Sequence, residues 1–226
     1  MRRRWFWMTI FAAVCLVGCD KTEERRVTPA PPARTETAAP AAADTRPVIV
    51  AFGDSLTAGH GLEPGLSYPD FLQKDLDARG LRYRVVNQGI SGDTTDGGVA
   101  RMDAAIALRP EVVILELGAN DGLRGLPVEA TRRNLVEMVD AFQKSGAKVL
   151  LCGMTLPRNY GGDYIRSFEG IFADLSREKK LALVPFCLDG VATRKELMQA
   201  DGLHPTAEGC KRVAANVMKH LEPMLR

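Results

Sequence analysis

A serine, a histidine and a nearby carboxylate are the residues of this chain that could carry out covalent chemistry. Ser55 lies in the run Gly53-Asp54-Ser55-Leu56, and Asp201 precedes His204 by three residues. A serine becomes a nucleophile when its hydroxyl is exposed and an adjacent imidazole can take its proton. A carboxylate orients that imidazole, and one short loop can hold Asp201 against His204. These residues predict acyl transfer by a triad of Ser55, His204 and Asp201.

Two further segments offer the hydrogen-bond donors that acyl transfer requires. The backbone N–H of Gly89 could face a bound oxygen, and Asn120 carries a side-chain amide. Donors that meet the negative oxygen of a tetrahedral intermediate lower the barrier to acyl transfer. We therefore predict an oxyanion hole formed by Ser55, Gly89 and Asn120.

Other polar residues near these segments have simpler interpretations. Asp54 and Asp121 are expected to hold their turns, and His60 is a weak alternative base because no acidic partner for it is evident. Taken singly, each segment is also ordinary turn or helix-cap chemistry. The prediction depends on the segments occurring together, three of them directly after apolar runs.

Apolar runs that predict strands alternate with stretches of helical spacing from residue 47 onward. Strands are predicted at 47–52, 83–87, 112–117, 148–152 and 181–185. Helices are predicted at 69–79, 97–108, 128–144, near 168–179 and at about 206–221. This alternation indicates an α/β fold with a mostly parallel sheet covered on both faces. Sites in such sheets form beyond the carboxyl ends of the strands, where the candidate residues lie.

In combination these segments resemble the blocks of the SGNH (GDSL-type) hydrolase superfamily. The similar blocks are Gly53–Leu56, Gly89, Gly118–Asp121 and Asp201–Pro205, and the resemblance spans residues 47–226. Residues 87–95 and Gly61-Leu62 most resemble the arylesterase and multifunctional thioesterase/lysophospholipase branch.

The resemblance implies a three-layer α/β/α sandwich with a flavodoxin-like sheet. It also implies hydrolysis of aryl or short-to-medium acyl esters, lysophospholipids or thioesters through an acyl-enzyme, with no metal or organic cofactor. It places the segment 156–163 beside the acyl pocket, where Leu156, Tyr160 and Tyr164 are expected to admit the acyl chain. A purely structural role for that segment is the alternative.

The N-terminus is typical of an export signal. Three arginines precede an apolar run at residues 5–17, too short to span a bilayer stably. The run ends in Leu16-Val17-Gly18-Cys19, which resembles a bacterial lipobox. We therefore expect a lipoprotein signal peptide at 1–18, lipidation of Cys19, a disordered tether at 19–45 and the hydrolase domain at 46–226. The expected location is the bacterial cell envelope, with plain secretion as the alternative.

The charge balance and the composition of the chain limit the classes of partner that we expect it to bind. Residues 46–226 hold 23 basic and 23 acidic side chains, so nothing favours nucleic acid. We expect a monomer acting on a small-molecule ester or lipid, anchored to a membrane through its N-terminal lipid. Both tryptophans, Trp5 and Trp7, lie in the predicted signal, which disfavours sugar stacking and hence the close alternative, a carbohydrate or cell-wall O-acetyl deacetylase. An acyltransferase and a non-catalytic binding module are more distant alternatives. Whether Cys187 and Cys210 form a disulfide is left open.

Overall fold

A five-stranded parallel sheet forms the centre of the protein in a computed structural model that describes residues 44–225. The strands are β1 (Val48–Gly53), β2 (Arg84–Gly89), β3 (Val112–Glu116), β4 (Lys148–Cys152) and β5 (Ala182–Val184). Their order across the sheet is β2-β1-β3-β4-β5. This is the order of flavodoxin-like sheets, in which ligands bind where β1 and β3 lie side by side. The predicted fold class is thereby confirmed.

Seven helices connect or follow the strands among the described residues. They are α1 (Ser55–Ala58), α2 (Tyr68–Ala78), α3 (Thr95–Ala107), α4 (Ala119–Leu123), α5 (Val128–Lys144), α6 (Gly162–Lys179) and α7 (Ala207–Leu221). Side chains cap α1, α3 and α7, the helices that contain or follow the candidate residues Ser55, Gly89 and His204. Thr206, for example, accepts a hydrogen bond from the backbone N–H of Gly209 at 3.2 Å and starts α7 two residues after His204.

The helices cover the sheet in two layers. Helix α2 packs on α7, whereas α3, α5 and α6 pack in sequence with one another. The central strands β1 and β3 are buried along their whole length, as their unbroken apolar sequences predict. Phe52 of β1 meets Phe142 of α5 edge-to-face, with ring centroids 5.4 Å apart. Because the core lies on both faces of β1 and β3, their carboxyl ends are held firmly.

The sequence prediction differs from the structure mainly in short or glycine-containing segments. Helices α1 and α4 were not predicted, because four or five residues carry no helical periodicity. Helix α6 starts at Gly162 rather than near Phe168. Gly161 and Gly162 favour a loop, but Tyr164 donates a hydrogen bond to Leu126 O at 2.8 Å, and this tertiary contact overrides propensity.

The predicted signal peptide, the lipidated Cys19 and nearly all of the tether lie outside the described residues. Asp44, close to the predicted end of the tether, already pairs with Arg46 at 2.8 Å. None of the helices within residues 44–225 combines the length and the apolar character that crossing a membrane demands. Cys152, Cys187 and Cys210 are buried free thiols.

Candidate active site

Ser55 is the first residue of α1, directly beyond the carboxyl end of β1. Asp54 caps this short helix by accepting a hydrogen bond from the backbone N–H of Leu56 at 3.0 Å. Gly59 ends it in the left-handed region, at φ 78°. The first N–H groups of a helix have no partner within the helix. The turn therefore presents both the hydroxyl and the backbone N–H of Ser55.

His204 and Asp201 meet Ser55 in the predicted order. His204 Nε2 lies 2.9 Å from Ser55 Oγ, and His204 Nδ1 lies 2.7 Å from Asp201 Oδ2. Asp201 Oδ1 accepts the backbone N–H groups of Leu203 at 2.9 Å and His204 at 3.0 Å. The hydrogen bond with the His204 side chain, followed by these backbone bonds, holds the pKa of Asp201 well below its usual range. Asp201 is thus an anion that fixes the proton of His204 on Nδ1.

The loop that carries the histidine is anchored by a side chain that the sequence analysis did not identify. Gln199 donates its backbone N–H to His204 O at 2.7 Å. Its side-chain amide donates to Pro205 O at 2.9 Å and to His60 O at 2.7 Å. Gln199 therefore joins the histidine loop to the loop that follows the nucleophile helix.

His60, which the sequence analysis considers as an alternative base, lies next to His204 in the site. Its ring centroid is 4.5 Å from that of His204, and its Nδ1 lies 3.4 Å from Ser91 Oγ. Its own ring is exposed, whereas His204 is only partly so. The imidazole of His60 thus forms part of the wall beside His204, and the nitrogen that faces Ser55 belongs to His204.

Asn120 follows β3, at the point where β1 and β3 lie side by side. Its Nδ2 donates to Asp54 Oδ2 at 3.0 Å and to Asp93 O at 2.9 Å. Both protons of the amide are used in this arrangement, so an incoming oxyanion has to share one of them. Asp121, next in the chain, accepts bonds from Thr95 and Thr131 inside the protein, in agreement with a structural role.

Gly89 does not fit the oxyanion role predicted for it. Its backbone N–H already donates to Asn87 Oδ1 at 2.9 Å, and the residue packs against α1. A Cβ at this position would lie only 2.2 Å from the backbone nitrogen of Ala58. The glycine is thus required by the close approach of β2 and α1, and the prediction of a donor here was wrong.

Gly92 is the better-placed glycine of the same segment. It lies in an exposed turn with a left-handed φ of 83°. The carbonyl of the next residue, Asp93, accepts a hydrogen bond from Asn120, so the turn that contains Gly92 lies next to Asn120. The sequence signal for this position is the turn chemistry of Ser91-Gly92-Asp93.

Arg101 of α3 ties together the strand ends beneath the site. Its guanidinium donates to Gly53 O at 2.9 Å and to Gln88 O at 2.7 Å, and it pairs with Asp93 at 2.6 Å. It also lies over the ring of Phe52, 4.0 Å from the centroid. One side chain therefore fixes the ends of β1 and β2 and the Gly92 turn. An arginine within a helix carried no sequence signal for this role.

The three residues predicted to form the acyl pocket all lie against α4 and the loop after it. Leu156 is buried next to Gly122 and Phe168. Tyr160 donates its hydroxyl to Leu123 O at 2.8 Å, and Tyr164 bonds Leu126 O in the same way. These contacts hold the segment after β4 to the segment after β3. Within residues 44–225, no cluster of His, Cys, Asp and Glu side chains is arranged to hold a metal ion.

Comparison with known proteins shows which family the chain matches. Residues 51–212 match the GDSL-like lipase/acylhydrolase family, a range that contains Ser55, Asn120, Asp201 and His204. The chain belongs to this family. The resemblance inferred from the blocks is thereby confirmed.

Relatives of this GDSL-like protein are named for ester and thioester hydrolysis. Esterase TesA of Pseudomonas aeruginosa is 45% identical over 82% of this chain and 91% of its own length. Thioesterase 1/protease 1/lysophospholipase L1 of Escherichia coli is 36% identical, over 82% of this chain and 86% of that protein. The crystal structure of TesA superposes with a TM-score of 0.76 at 44% identity and covers 79% of this chain and 99% of the TesA chain. The GDSL-like fold therefore extends over the whole sheet described above.

Proposed function

We propose that the protein hydrolyses carboxylic esters, with Ser55 as nucleophile, His204 as general base and Asp201 as the residue that orients it. The observation that carries the proposal is the continuous chain of hydrogen bonds from Asp201 through His204 to Ser55, at 2.7 and 2.9 Å. Membership of an acylhydrolase family and the names of its relatives support the same chemistry.

The reaction proceeds in two acyl transfers. His204 Nε2 takes the proton of Ser55 as Oγ attacks the ester carbonyl carbon, and the protonated imidazole is stabilised by Asp201. His204 then gives that proton to the leaving alcohol or thiol, which departs and leaves an acyl-Ser55. Water, activated by the same histidine, attacks the acyl-enzyme and releases the acid with Ser55 restored.

We assign the oxyanion hole to the backbone N–H groups of Ser55 and Gly92 and the side-chain amide of Asn120. Ser55 N–H heads a helix, Gly92 lies in the turn beside Asn120, and Asn120 is held in place by Asp54. An oxyanion that arrives at Ser55 competes with Asp93 O for one amide proton of Asn120. Gly89 has no part in this assignment, because its N–H is used by Asn87.

The proposed substrates are esters or thioesters with an apolar acyl chain, lysophospholipids among them. Ile90 and Leu203, the large apolar side chains that stand exposed within the described residues, are 49% and 45% exposed. Ile90 follows β2 and donates its N–H to Gly53 O, and Leu203 lies between Asp201 and His204. Exposed apolar side chains next to a nucleophile favour an acyl chain over a sugar.

We keep Leu156, Tyr160 and Tyr164 as proposed contacts of that acyl chain, although their contacts also serve the fold. Tyr160→Phe removes only the hydrogen bond to Leu123 O, whereas Tyr160→Ala also empties the space beside α4. A change of preferred chain length in Tyr160→Ala but not in Tyr160→Phe is the result expected of a pocket residue. An unchanged preference in both would assign Tyr160 to the fold alone.

We also propose that a lipid on Cys19 anchors the protein in the bacterial cell envelope, so that the hydrolase domain acts outside the cytoplasm. The support is the Arg-rich start, the short apolar run and the motif before Cys19. Cells that express the full chain and are fed a labelled fatty acid should yield a labelled protein, and Cys19→Ser should abolish the label. A labelled Cys19→Ser protein would contradict the assignment.

The decisive experiment for the activity follows hydrolysis of p-nitrophenyl esters from acetate to palmitate by the purified full-length protein. Ser55→Ala and His204→Ala should fold as the wild type does and lose turnover, and a fluorophosphonate should label the wild type at Ser55. An optimum beyond acetate supports acyl-chain substrates, whereas activity on acetate alone supports an O-acetyl deacetylase. No turnover on any ester and no labelling of Ser55 would overturn the proposal.

A further inference from the structure

Two carboxyl groups lie buried together beneath the turn that carries Ser55. Asp54 is 1% exposed and Glu116 is fully buried. They come together because Gly53, which precedes Asp54, pairs in register with Glu116 across β1 and β3. Gly53 also leaves the space that the second carboxyl occupies, since a Cβ there would lie 2.6 Å from Glu116 Oε2. The acyl transfer described above uses neither of these carboxyl groups to move a proton, so the role of the pair is still to be assigned.

The hydrogen bonds of the two carboxyl groups are unequal. Asp54 accepts the backbone N–H of Leu56 at Oδ1 and the amide of Asn120 at Oδ2, both at 3.0 Å. Glu116 accepts the hydroxyl of Thr57 at Oε2 and 2.7 Å, and the backbone N–H of Asp54 also contributes a hydrogen bond to this carboxyl. Glu116 Oε1 is buried and receives no donor from the described residues. A carboxylate oxygen in that state is costly, whereas a protonated oxygen needs an acceptor instead.

Charge repulsion favours the same distribution. Burial raises the pKa of Asp54 to about 6, and a hydrogen bond with the Glu116 side chain is among the contacts that oppose this rise. Burial and then the charge of Asp54 raise the pKa of Glu116 well above its usual range. Two adjacent buried carboxyl groups retain one proton between them, because a second negative charge costs more than the first. Asp54, which has two N–H donors, is the group that carries the charge.

Apart from Asp54, the titratable side chains that act on Glu116 are uncharged. The hydroxyl of Tyr68 lies 3.2 Å from Thr57 Oγ1, and burial raises its pKa well above the usual range. The thiol of Cys187 is also fully buried, and its contact with Cys152 and burial raise its pKa. On the Asp54 side, the imidazole of His204 is the charged or titratable group that favours the anion.

We propose that Glu116 is a positioning residue, which stays protonated and donates its acid proton to Asp54, so that Asp54 holds the amide of Asn120 at the oxyanion site. In this proposal the acid proton of Glu116 is donated to the Asp54 carboxylate, with which the Glu116 side chain is in hydrogen-bond contact, and Asn120 Nδ2–H donates to Asp54 Oδ2. Its effect on catalysis rests on the function proposed above, whereas the protonation of Glu116 does not.

The protonation is tested by infrared difference spectroscopy on the full-length protein. The C=O stretch of a neutral carboxylic acid should be present in the wild type at neutral pH and absent from Glu116→Gln. Asp121→Asn is the matched control: Asp121 is another buried carboxylate, but several donors satisfy it, so the acid band should persist in that variant. A wild-type spectrum without the acid band, or a band that survives in Glu116→Gln, would overturn the inference whether or not the protein hydrolyses esters.

The positioning role is tested by the kinetics of two variants of similar shape. Glu116→Gln keeps a donor to Asp54 and should retain kcat within about threefold, whereas Glu116→Met has none and should lower kcat about 10- to 100-fold at unchanged KM. If the role of Glu116 were only structural, Glu116→Met would be the more stable of the two variants, because an apolar side chain suits a buried site. If the Gln variant loses as much kcat as the Met variant, or if neither loses any, Glu116 does not position Asn120. If the Met variant fails to fold, kcat of the Gln variant and the infrared band of the acid still test the proposal.

Discussion

The close approach of β2 to the nucleophile helix leads to a prediction of measurable size. A Cβ added at Gly89 would lie 2.2 Å from the backbone nitrogen of Ala58 and 2.7 Å from the carbonyl carbon of Thr57, whereas real Cβ contacts stay at 3.0 Å or more. The obstacle is backbone, so no side-chain rotation can relieve it. In Gly89→Ala, β2 and α1 must therefore move apart by about 0.8 Å, the difference between 2.2 and 3.0 Å, and Ser55 moves with α1.

The magnitude follows from the sensitivity of catalysis to misplacement. A shift of about 1 Å at the reacting atoms costs about 100-fold in rate, which corresponds to about 2.7 kcal/mol in the transition state. Overpacking of this kind also lowers the free energy of unfolding by about 1–3 kcal/mol. Alanine keeps the backbone N–H, so the expected loss in kcat/KM measures displacement alone.

The assay is kcat/KM on p-nitrophenyl butyrate, measured well below the melting temperature, with urea unfolding alongside. Gly170→Ala is the control, because a Cβ there meets only Asp174 Oδ2, at 4.0 Å, on the outside of α6. It should leave kcat/KM unchanged and raise the free energy of unfolding by about 0.5–1 kcal/mol, since alanine favours a helix. Wild-type kcat/KM in Gly89→Ala would refute the argument that this contact sets the position of Ser55.

Three further predictions concern the hydrogen-bonded chain and the buried carboxyl groups. Asp201→Asn should preserve the fold and lower kcat by about 10,000-fold, because the amide no longer holds the proton of His204 on Nδ1; steady-state kinetics with circular dichroism checks this. Asn120→Ala should lower kcat about 100- to 1,000-fold through the loss of one oxyanion donor, with the rate of fluorophosphonate labelling falling in parallel. Because the folded-state pKa of Asp54, about 6, lies above its ordinary value of 3.8, ionising Asp54 costs more free energy in the folded state than in the unfolded state. The free energy of unfolding should therefore fall as the pH rises from about 4 to about 6, and urea titrations should show a smaller fall in Asp54→Asn.

The sequence sufficed for the fold wherever an element was long and apolar on a regular period. The strands β1 and β3 and the helix α5 lie where their apolar patterns predict them, and the alternation of strands and helices fixes the parallel sheet. Ser55, His204 and Asp201 were predictable for a related reason. Ser55 stands just beyond the end of β1, and Asp201 and His204 lie in the loop before α7 with the three-residue spacing that lets one loop hold a carboxylate against an imidazole.

Residues whose role depends on a close approach could not be predicted in the same way. Glu116 lies at the end of an apolar run, and nothing in the run shows that its carboxyl is buried against Asp54. Arg101 looks like any helical arginine until its hydrogen bonds to Gly53 and Gln88 are seen. The choice between Gly89 and Gly92 likewise needed the distance from β2 to α1.

These close approaches act on the same short helix from opposite sides. On the β2 side, Gly89 lets the strand end touch the backbone of α1. On the β3 side, Gly53 makes room for Glu116, whose carboxyl bonds Thr57 within α1. A helix of four residues has too few internal hydrogen bonds to hold its own position. The position of Ser55 is therefore set by the strands that pack against α1. This explains why glycine is required at the end of β1, as Gly53, and at the end of β2, as Gly89.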